Sequence, residues 1–294
     1  MRAAVDFGLS VTDAVLVESE HTSATGTLRA KTSRLRPGPA SPGLLADLLE
    51  ELGRSAGPAG VPERLEWIAV TGGRARELPA ALNGTPIIQI DEPAAAGRGG
   101  LHAAGLARAL VVSCGTGTAM ISADLSSGEY RHVGGTPVGG GTLEGLGSRL
   151  LGESNALTVC ELASAGSAAG VDTTLGEVLG GSLGTLPPTA TAVSLGRLAR
   201  LEQEPAREDL AAGVVTMVAQ TIGLIALGVA RANGLERVVL IGRLAEQPAI
   251  SNMIRAVFRV YGFPDAVVTP ADAGYEAGPL VALGAALLAH ERTL

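Results

Sequence analysis

Charged and aromatic side chains are both scarce in this sequence. Of 294 residues, 17% are charged and 2% aromatic while 46% are hydrophobic, so the core is predicted to consist mainly of Ala, Val, Leu and Ile. Lysine is nearly missing, because Lys31, in a predicted Arg- and Ser-rich loop, is the single one. A net charge of −7 without a basic stripe argues against nucleic acid or an anionic membrane surface as a partner.

Cysteine is scarce as well, and no targeting signal is evident. Cys114 and Cys160 are too few for a disulfide framework, which predicts a reducing compartment. Residues 1–6 lack the apolar region of a signal peptide. Residues 211–230 carry no charge over a length that can span a bilayer, but their glycines and polar side chains favour a buried or subunit-facing helix. We therefore expect a soluble, cytoplasmic protein.

A glycine-containing turn between two short apolar strands occurs twice in the chain. The first example spans residues 3–17 and the second residues 110–121, each with the pattern strand, turn, strand. This repeat predicts two lobes that each open with a hairpin, although two unrelated hairpins in an α/β protein give the same pattern. The length also suggests two domains, which we place at residues 1–105 and 106–294.

The rest of the chain alternates between strand and helix patterns, as expected for a mostly parallel sheet. The predicted strands are 67–70, 87–90, 237–241 and 267–268. The predicted helices are 42–52, 94–108, 207–233 and 278–291, with a further helix after an N-cap at Thr142 and a loop-rich region at 153–200.

Three glycine-rich turns are candidate cradles for phosphate groups. They contain Gly8 and Ser10 in the first turn, Gly115, Thr116, Gly117 and Thr118 in the second, and Gly139, Gly140 and Gly141 before the Thr142 helix. Glycine lets the backbone approach phosphate closely, hydroxyl groups add donors, and a helix N-terminus favours an anion. None of the turns is a Walker motif, which requires a lysine after the glycines.

Carboxylates and cations near predicted strand ends are the candidates for the remaining chemistry. Asp6 can hold Mg²⁺ through water or simply cap its turn. Glu92 and Asp91 can each accept a hydroxyl proton, but neighbours on an extended segment point to opposite sides, so at most one faces a substrate. Their spacing alone favours the alternative that both are solvated loop acids. Arg131 and His132 can pair with a substrate carboxylate or lie exposed on the surface.

Together these segments resemble the type II pantothenate kinases, members of the acetate and sugar kinase, Hsc70 and actin superfamily. The most specific part is residues 113–118 followed by residues 134–143. Residues 71–73, 186–188, 190–192, 195–197, 239–242 and 275–287 also match. The resemblance implies an α/β, two-lobed actin-like (ribonuclease H-like) ATPase fold with duplicated sheet-and-helix lobes. It also implies transfer of the ATP γ-phosphate to the primary hydroxyl of pantothenate, which gives 4′-phosphopantothenate in coenzyme A biosynthesis.

The resemblance further implies roles for individual residues. It makes Glu92 rather than Asp91 the catalytic base, and maps Asp6 onto the first phosphate turn. The implied nucleotide-binding residues are Asp6, Gly8, Ser10, Gly115, Thr116, Gly117, Thr118, Gly139, Gly140, Gly141 and Gly242, and the implied substrate-binding residues are Arg131, His132, Gly135 and Thr136. A homodimer that uses the helix at 207–233 is implied as well, and a regulator of the acyl-CoA or CoA class is a further expectation.

Two positions depart from the pattern of that family. Asp13 stands where the family has a lysine near ATP, and His132 stands where it has the arginine that binds the substrate carboxylate. A carboxylate near ATP removes phosphate neutralisation, and a neutral imidazole is a weaker anion partner than a guanidinium. Two alternatives therefore stay open: a kinase of another small hydroxy acid or amide, and a catalytically silent protein that binds a nucleotide or acyl-CoA.

Overall fold

The computed structural model describes residues 1–17, 30–35, 40–55, 65–73, 75–275 and 279–294. The strands are β1 (Arg2–Phe7), β2 (Thr12–Val17), β3 (Ala30–Leu35), β4 (Ile68–Gly72), β5 (Ala81–Leu82), β6 (Thr85–Gln89), β7 (Arg108–Cys114), β8 (Thr118–Asp124), β9 (Glu129–Thr136), β10 (Thr173–Thr174), β11 (Thr191–Val193), β12 (Val238–Ile241) and β13 (Val267–Val268). The helices are α1 (Pro42–Ser55), α2 (Glu92–Ala104), α3 (Gly140–Leu150), α4 (Ala156–Ala163), α5 (Leu175–Leu179), α6 (Arg207–Ala232), α7 (Pro248–Val260) and α8 (Leu280–Thr293).

The two large sheets have the same strand order. The first runs β3-β2-β1-β4-β6-β5, and the second, reversed, runs β9-β8-β7-β12-β13. In the first sheet β1 pairs antiparallel with β2 and parallel with β4, and β4 pairs parallel with β6. The hairpin β7–β8 therefore occupies the same place in its sheet as β1–β2. The predicted duplication is confirmed, and the alternative of two unrelated hairpins is wrong.

Contacts divide the chain into two compact units that are not contiguous in sequence. The first unit contains residues 1–111, 121–132 and 270–294, and the second contains residues 112–120 and 133–269. The closing helix α8 thus packs within the first unit, because its apolar face covers the β1–β2–β4 sheet. The lobe boundary that we place between residues 105 and 106 stays a prediction.

The first sheet buries side chains on both of its faces, which alternate along each strand as the pleat requires. One face holds Ala3, Val5 and Phe7 against Leu45 and Leu48 of α1. The opposite face is covered by helices α2 and α8 and holds alanines from both; its buried members include Ala4, Val15, Ala69, Ala95, Ala282, Ala285 and Ala286. Small side chains on this second face let the two helices lie close to the sheet and to each other.

Helices α2 and α8 approach so closely that two glycines are needed at their crossing. A Cβ atom at Gly99 would overlap the backbone carbonyl of Leu280, and one at Gly284 would overlap the carbonyl of Ala95. Both glycines are helical, where glycine costs about 1 kcal/mol relative to alanine, so close packing must compensate for them. This contact fixes the position of α2 and therefore of its first residue, Glu92.

Several predicted elements differ from the structure in their bounds. The helix expected at 94–108 begins at Glu92 and ends at Ala104, because Gly105 adopts a left-handed conformation with φ of 63° and ends it. Lys31 lies in β3 rather than in a loop. The region 153–200 contains α4, α5 and a two-stranded sheet of β10 and β11. The remaining predicted strands and helices are present with small shifts.

Helix α6 is the long apolar helix expected at 207–233. Among the described residues it is the single helix that is long and apolar enough to cross a membrane, yet 67% of its most apolar window is buried inside the protein. Its buried residues include Val214, Val218, Ile222 and Ala226, which follow the helical spacing of one face. A core helix passes the same test, and this burial agrees with the expectation of a buried helix.

Candidate functional site

A row of polar side chains crosses the carboxyl end of β1 on the face that α2 and α8 cover. Asp6 lies opposite Asp13 of β2 and opposite Thr71 of β4 in the strand register. Side chains directly opposite each other in neighbouring strands lie on the same face. This face is otherwise apolar, since Ala4, two residues before Asp6, belongs to its buried core. Sheet geometry therefore brings two carboxyl groups and one hydroxyl together beside the start of α2.

One carboxyl oxygen of Asp6 has no hydrogen-bond partner in the part of the protein that the structure describes. Its Oδ1 atom is buried and has no hydrogen-bond partner among the described residues, and the same is true of Thr71 Oγ1. Burial, together with the negative charges of Glu92 and Asp13, raises the pKa of Asp6 to about 7, and burial is the largest of these causes. Buried polar atoms without partners are rare in folded proteins, so this pair marks a place where a ligand can complete the structure.

The chemistry of Asp6 fits a hard cation. Mg²⁺ prefers carboxylate oxygen, keeps several waters and is commonly held by one or two carboxylates plus substrate phosphates. A cation bound there would both satisfy Oδ1 and offset the repulsion from Glu92 and Asp13 that raises the pKa of Asp6. The described residues contain no cluster of three or more His, Cys, Asp or Glu side chains that could hold a metal ion. Asp6 is therefore a candidate for a single carboxylate ligand of such a cation.

Glu92 is the first residue of α2, and the local sequence explains why the helix begins there. Asp91 precedes it in an extended conformation as the N-cap, and Pro93 occupies an early helical position where its missing N–H costs nothing. Burial of the carboxyl group raises the pKa of Glu92 above its usual range, and the charge of Asp91 raises it further. The negative charge of Glu92 is in turn one of the causes of the raised pKa of Asp6.

Asp91 and Glu92 have different surroundings, as expected for neighbours on an extended segment. Asp91 Oδ1 lies 3.5 Å from Nη2 of Arg76, and both side chains are mostly exposed, at 54% and 86%. Arg76 belongs to a 3₁₀ turn at Ala75–Glu77 that follows β4. Asp91 is therefore directed toward an exposed arginine, while Glu92 influences Asp6. This arrangement agrees with the choice of Glu92 over Asp91 as the candidate base, which stays a prediction.

A pocket of about 500 Å³ opens next to Glu92 within the first unit. Its walls are the end of β4, the Arg76 turn, the end of β6, the start of α2 and one residue of α8; the lining residues include Gly72, Arg76, Gln89, Asp91, Glu92 and Arg292. Its size falls in the range of small-molecule sites. Thr71, Arg76, Gln89 and Arg292 were not among the sequence-based candidates, and Arg292 has no local signal because it lies 200 residues from Glu92 in the chain.

In the second unit, the turn at Gly115–Thr118 packs directly onto the glycine run at 139–141. The amide of Gly140 donates to Gly115 O at 2.8 Å and that of Gly141 donates to Thr116 O at 2.9 Å. A Cβ atom at Gly139 would lie 2.7 Å from Thr116 O, which is too close for any side chain. The structure thus brings the two predicted phosphate turns together, but it uses the first two amides of α3 to hold the turn.

The start of α3 differs from the prediction. Thr142 is not the N-cap but the third helical residue, and Gly139 is the N-cap. The Thr142 hydroxyl instead accepts a hydrogen bond from the Gly139 amide at 3.2 Å. The prediction was wrong because hydroxyl residues are favoured at N-caps, whereas here the close approach to the turn permits glycine alone. The amides of Gly140 and Gly141 are consequently occupied, so the helix N-terminus does not offer them to an anion.

The other predicted nucleotide-binding residues also lie in tight turns. Gly242 follows β12 with φ of 94°, and a Cβ atom there would lie 2.5 Å from Cys114 O at the end of β7. In the first unit, a Cβ atom at Gly8 would lie 2.5 Å from Val11 O. Both glycines are therefore required by the backbone itself. Ser10 lies in the same turn as Gly8, and its role toward phosphate stays a prediction.

The predicted substrate-binding residues all lie within strand β9. Arg131 and His132 are exposed, and Arg131 Nε forms an ion pair of 3.0 Å with Glu129 on the same strand. Gly135 is exposed, and Thr136 uses its hydroxyl to accept a hydrogen bond from the Val138 amide at 3.2 Å. Neither Arg131 nor His132 lines the pocket beside Glu92. Their role in substrate binding stays a prediction.

Comparisons with known proteins agree with this duplicated fold. The activator of the 2-hydroxyisocaproyl-CoA dehydratase from Clostridium difficile, a structure with bound ADPNP, covers 99% of the chain with a TM-score of 0.65 at 18% sequence identity, and 94% of its own chain is matched. At this identity the likeness concerns the fold alone. Together with the repeated strand order, it confirms the predicted α/β, actin-like fold with duplicated sheet-and-helix lobes.

Several relatives by sequence are named pantothenate kinases. A type II pantothenate kinase of Bacillus cereus is 28% identical over 184 residues, which is 60% of this chain and 66% of the relative. Pantothenate kinase 1 of Oryza sativa subsp. japonica is 35% identical over 139 residues, covering 45% of this chain and 20% of its own length. The matched part therefore spans about two thirds of the bacterial relative and a fifth of the plant one.

The family profile named Fumble matches residues 106–263. That segment contains the turn at Gly115–Thr118, the glycine run at 139–141, helix α6 and the strand that ends before Gly242. It covers more than half of the chain. The chain belongs to the Fumble family, the family of the type II pantothenate kinases.

Proposed function

We propose that this protein is an ATP-dependent kinase that phosphorylates the hydroxyl group of a small metabolite, with pantothenate as the foremost acceptor. The observation that carries the proposal is the position of Glu92, which lines a pocket of about 500 Å³ together with Gly72, the residue that borders the unpartnered carboxyl oxygen of Asp6. Membership in the Fumble family and the names of its relatives support the choice of reaction and acceptor.

Glu92 would act as the general base in this reaction. Its raised pKa brings it closer to neutral pH, where a carboxylate is a better proton acceptor than an ordinary surface glutamate. The acceptor hydroxyl would lie in the pocket beside Glu92 and lose its proton as its oxygen attacks the terminal phosphorus. A positioned base of this kind typically contributes about 10²–10⁴-fold to the rate.

Asp6 would hold Mg²⁺, which neutralises charge on the transferring phosphoryl group when it is bound. The turn at Gly115–Thr118 would contact phosphate through its backbone amides and hydroxyls, and Gly8 and Ser10 are proposed to do the same in the first unit. Gly139, Gly140 and Gly141 would act indirectly, because their close contact shapes that turn. A homodimer, a cytoplasmic location and a regulator of the CoA class stay predictions.

The experiment is an ADP-release assay with pantothenate, ATP and Mg²⁺ on the wild-type protein and on Glu92→Gln. The substitution keeps the size of the side chain but removes the proton acceptor, so we expect turnover to fall at least about 100-fold. Binding of a fluorescent ATP analogue should change less than about twofold. Glu236→Gln, an exposed glutamate in the second unit, is the matched control and should retain full turnover. Near-normal turnover by Glu92→Gln would remove Glu92 from this role.

A second candidate function keeps the chemistry and changes the acceptor to another small hydroxy acid. It is favoured by the exposure of His132 and by the ion pair of Arg131 with Glu129, which give the implied carboxylate position a weak anion partner. A panel of hydroxylated acids and amides in the same assay separates the two candidates. If pantothenate gives the highest kcat/KM of the panel, this second candidate is rejected.

A further inference from the structure

Two arginines line the pocket beside Glu92, and they come from distant parts of the chain. Arg76 lies in the 3₁₀ turn after β4, and Arg292 lies in the last turn of α8. The turn is tied to β6, since Gln89 Nε2 donates to Arg76 O at 3.5 Å. Arg292 Nη1 donates to Gln89 O at 3.1 Å, so Gln89 links both arginines to one wall of the pocket.

Both guanidinium groups keep donors that a ligand can use. A guanidinium carries five N–H donors in a planar fork that matches a carboxylate. Arg292 uses Nη1 on a neutral carbonyl and, among the described residues, forms no ion pair. Arg76 meets Asp91 at 3.5 Å, and its side chain is 86% exposed. An exposed ion pair of this kind contributes little, so a carboxylate held in the pocket can compete with Asp91 for Arg76.

The carboxylate-binding position that the family resemblance implies, at Arg131 and His132, is less suited to an anion than Arg76 and Arg292. Arg131 is bound to Glu129 on its own strand at 3.0 Å, and His132 is an imidazole on the exposed part of β9. Neither lines the pocket that contains Glu92, whereas Arg76 and Arg292 do. Fork-shaped cations next to the candidate base are better suited to orient an acid by its carboxylate.

We infer that Arg76 and Arg292 form an anion subsite that selects acceptors carrying a carboxylate as well as the reacting hydroxyl. The inference rests on the proposed function, because it names the substrate class of the same pocket. Glu92 takes the hydroxyl end of the acceptor and the two arginines take the acid end. Asp91 weakens the subsite, because it competes for Arg76.

The test compares pantothenate with its alcohol analogue, in which CH₂OH replaces the carboxylate. Calorimetric binding at neutral pH is measured for the wild-type protein, Arg76→Gln, Arg292→Gln and the double variant. We expect the wild-type protein to prefer the acid by at least about tenfold, because charged hydrogen bonds to a carboxylate are strong. The double variant should lose this preference while its affinity for the alcohol stays within about twofold of wild type.

Three further variants make the outcome specific. Asp91→Asn removes the competing carboxylate and should bind the acid about two- to fivefold more tightly, a gain that damage to the fold would not produce. Arg237→Gln, an exposed arginine in the second unit, removes the same charge and should leave the preference unchanged. Arg131→Gln tests the rival position on β9, and loss of the preference in that variant would overturn the inference.

Binding and turnover separate this inference from the proposed function. ADP release without any preference for the acid, or a preference that survives in the double variant, overturns the arginine subsite and leaves the kinase proposal in place. A preference that depends on both arginines, without ADP release from any acceptor, supports the subsite and rejects the kinase. Failure of the wild-type protein to bind either compound overturns the subsite.

Discussion

At both hairpin turns a glycine lets two strand ends approach closely, but the turns differ in their polar side chains. At the first turn, Gly72, the last residue of β4, has φ of 90° and leaves no room for a Cβ atom next to Phe7 O. At the second, Gly242 after β12 has φ of 94° and leaves no room next to Cys114 O. Phe7 and Cys114 both immediately precede the glycine of their turn. The duplicated sheets thus repeat a close approach of two strand ends.

The difference between the turns lies in polar groups without partners. The first turn has three of them, since Asp6 Oδ1, Thr12 Oγ1 and Thr71 Oγ1 are buried and have no partner among the described residues. At the second turn, Thr118, which starts β8 as Thr12 starts β2, donates to Val138 O at 2.9 Å. The glycines therefore give both turns the same backbone arrangement. The unsatisfied polar groups identify the first turn as the one that can bind a ligand.

The largest expected effect on stability comes from adding a side chain where the two strand ends approach closely. Gly72→Ala and Gly242→Ala should each destabilise the protein by about 2–5 kcal/mol, because a side chain there is strained and overlaps backbone. Denaturant unfolding of each variant measures the loss. Gly145→Ala, inside α3 with no atom within 4 Å of a new Cβ, is the control and should be neutral or slightly stabilising. If one of the two substitutions destabilises the protein only slightly, the two turns are not equivalent.

The next effect tests the buried charge that only the first turn carries. The pKa of Asp6 in the folded protein is raised to about 7 from 3.8, so the folded state binds the proton more tightly than the unfolded state. Folding stability in the absence of ligand therefore falls as pH rises from about 4 to 7, and it levels off above that range. Asp6→Asn, which is neutral at every pH, should become increasingly more stable than wild type over this range, by up to about 1.4 kcal/mol per pH unit.

Thermal unfolding at a series of pH values from about 4.5 to 8 measures this prediction. Asp47→Asn, an exposed aspartate of α1, is the matched control for loss of one carboxylate. A stability difference between Asp6→Asn and wild type that does not change with pH would contradict the burial of this charge. Added Mg²⁺ and ATP analogue should reduce the difference, because a bound cation stabilises ionised Asp6.

Much of the fold could be predicted from the sequence, because its signals are local. The duplicated hairpin, the long helix α6 and the strand before Gly242 depend on apolar runs that end at glycine. Strand β9 was missed, since its sequence of Glu, Tyr, Arg, His, Val, Gly, Gly and Thr lacks an apolar run. The start of α2 at Glu92 was also missed, although Pro93 near a helix start is a recognised signal.

The site could be predicted less completely than the fold. Asp6 lies at the end of β1 and Glu92 comes shortly after β6, and their proximity follows from strand ends that meet at one sheet edge. Arg76 and Arg292 could not be found in this way, because their meeting depends on how α8 packs against α2 and the first sheet. The Thr142 N-cap was wrong for a similar reason, since contact with the turn at Gly115 decides where α3 begins. Long-range packing left no local signal in either case.

The smallest expected effect on stability is the difference between removing a hydrogen-bonded hydroxyl, that of Thr118, and removing the hydroxyl of Thr12, which has no partner among the described residues. Thr118→Val removes the donor to Val138 O and should cost about 1 kcal/mol, because a buried carbonyl loses its hydrogen bond. Thr12→Val removes a hydroxyl that has no partner among the described residues, so it should be neutral or stabilising by a few tenths of a kcal/mol. The two substitutions have the same size and chemistry, so each is the control for the other in denaturant unfolding. An equal loss of stability at both threonines would mean that the Thr12 hydroxyl is satisfied in the ligand-free protein. The difference in unsatisfied polar groups between the two turns would then rest on Asp6 and Thr71.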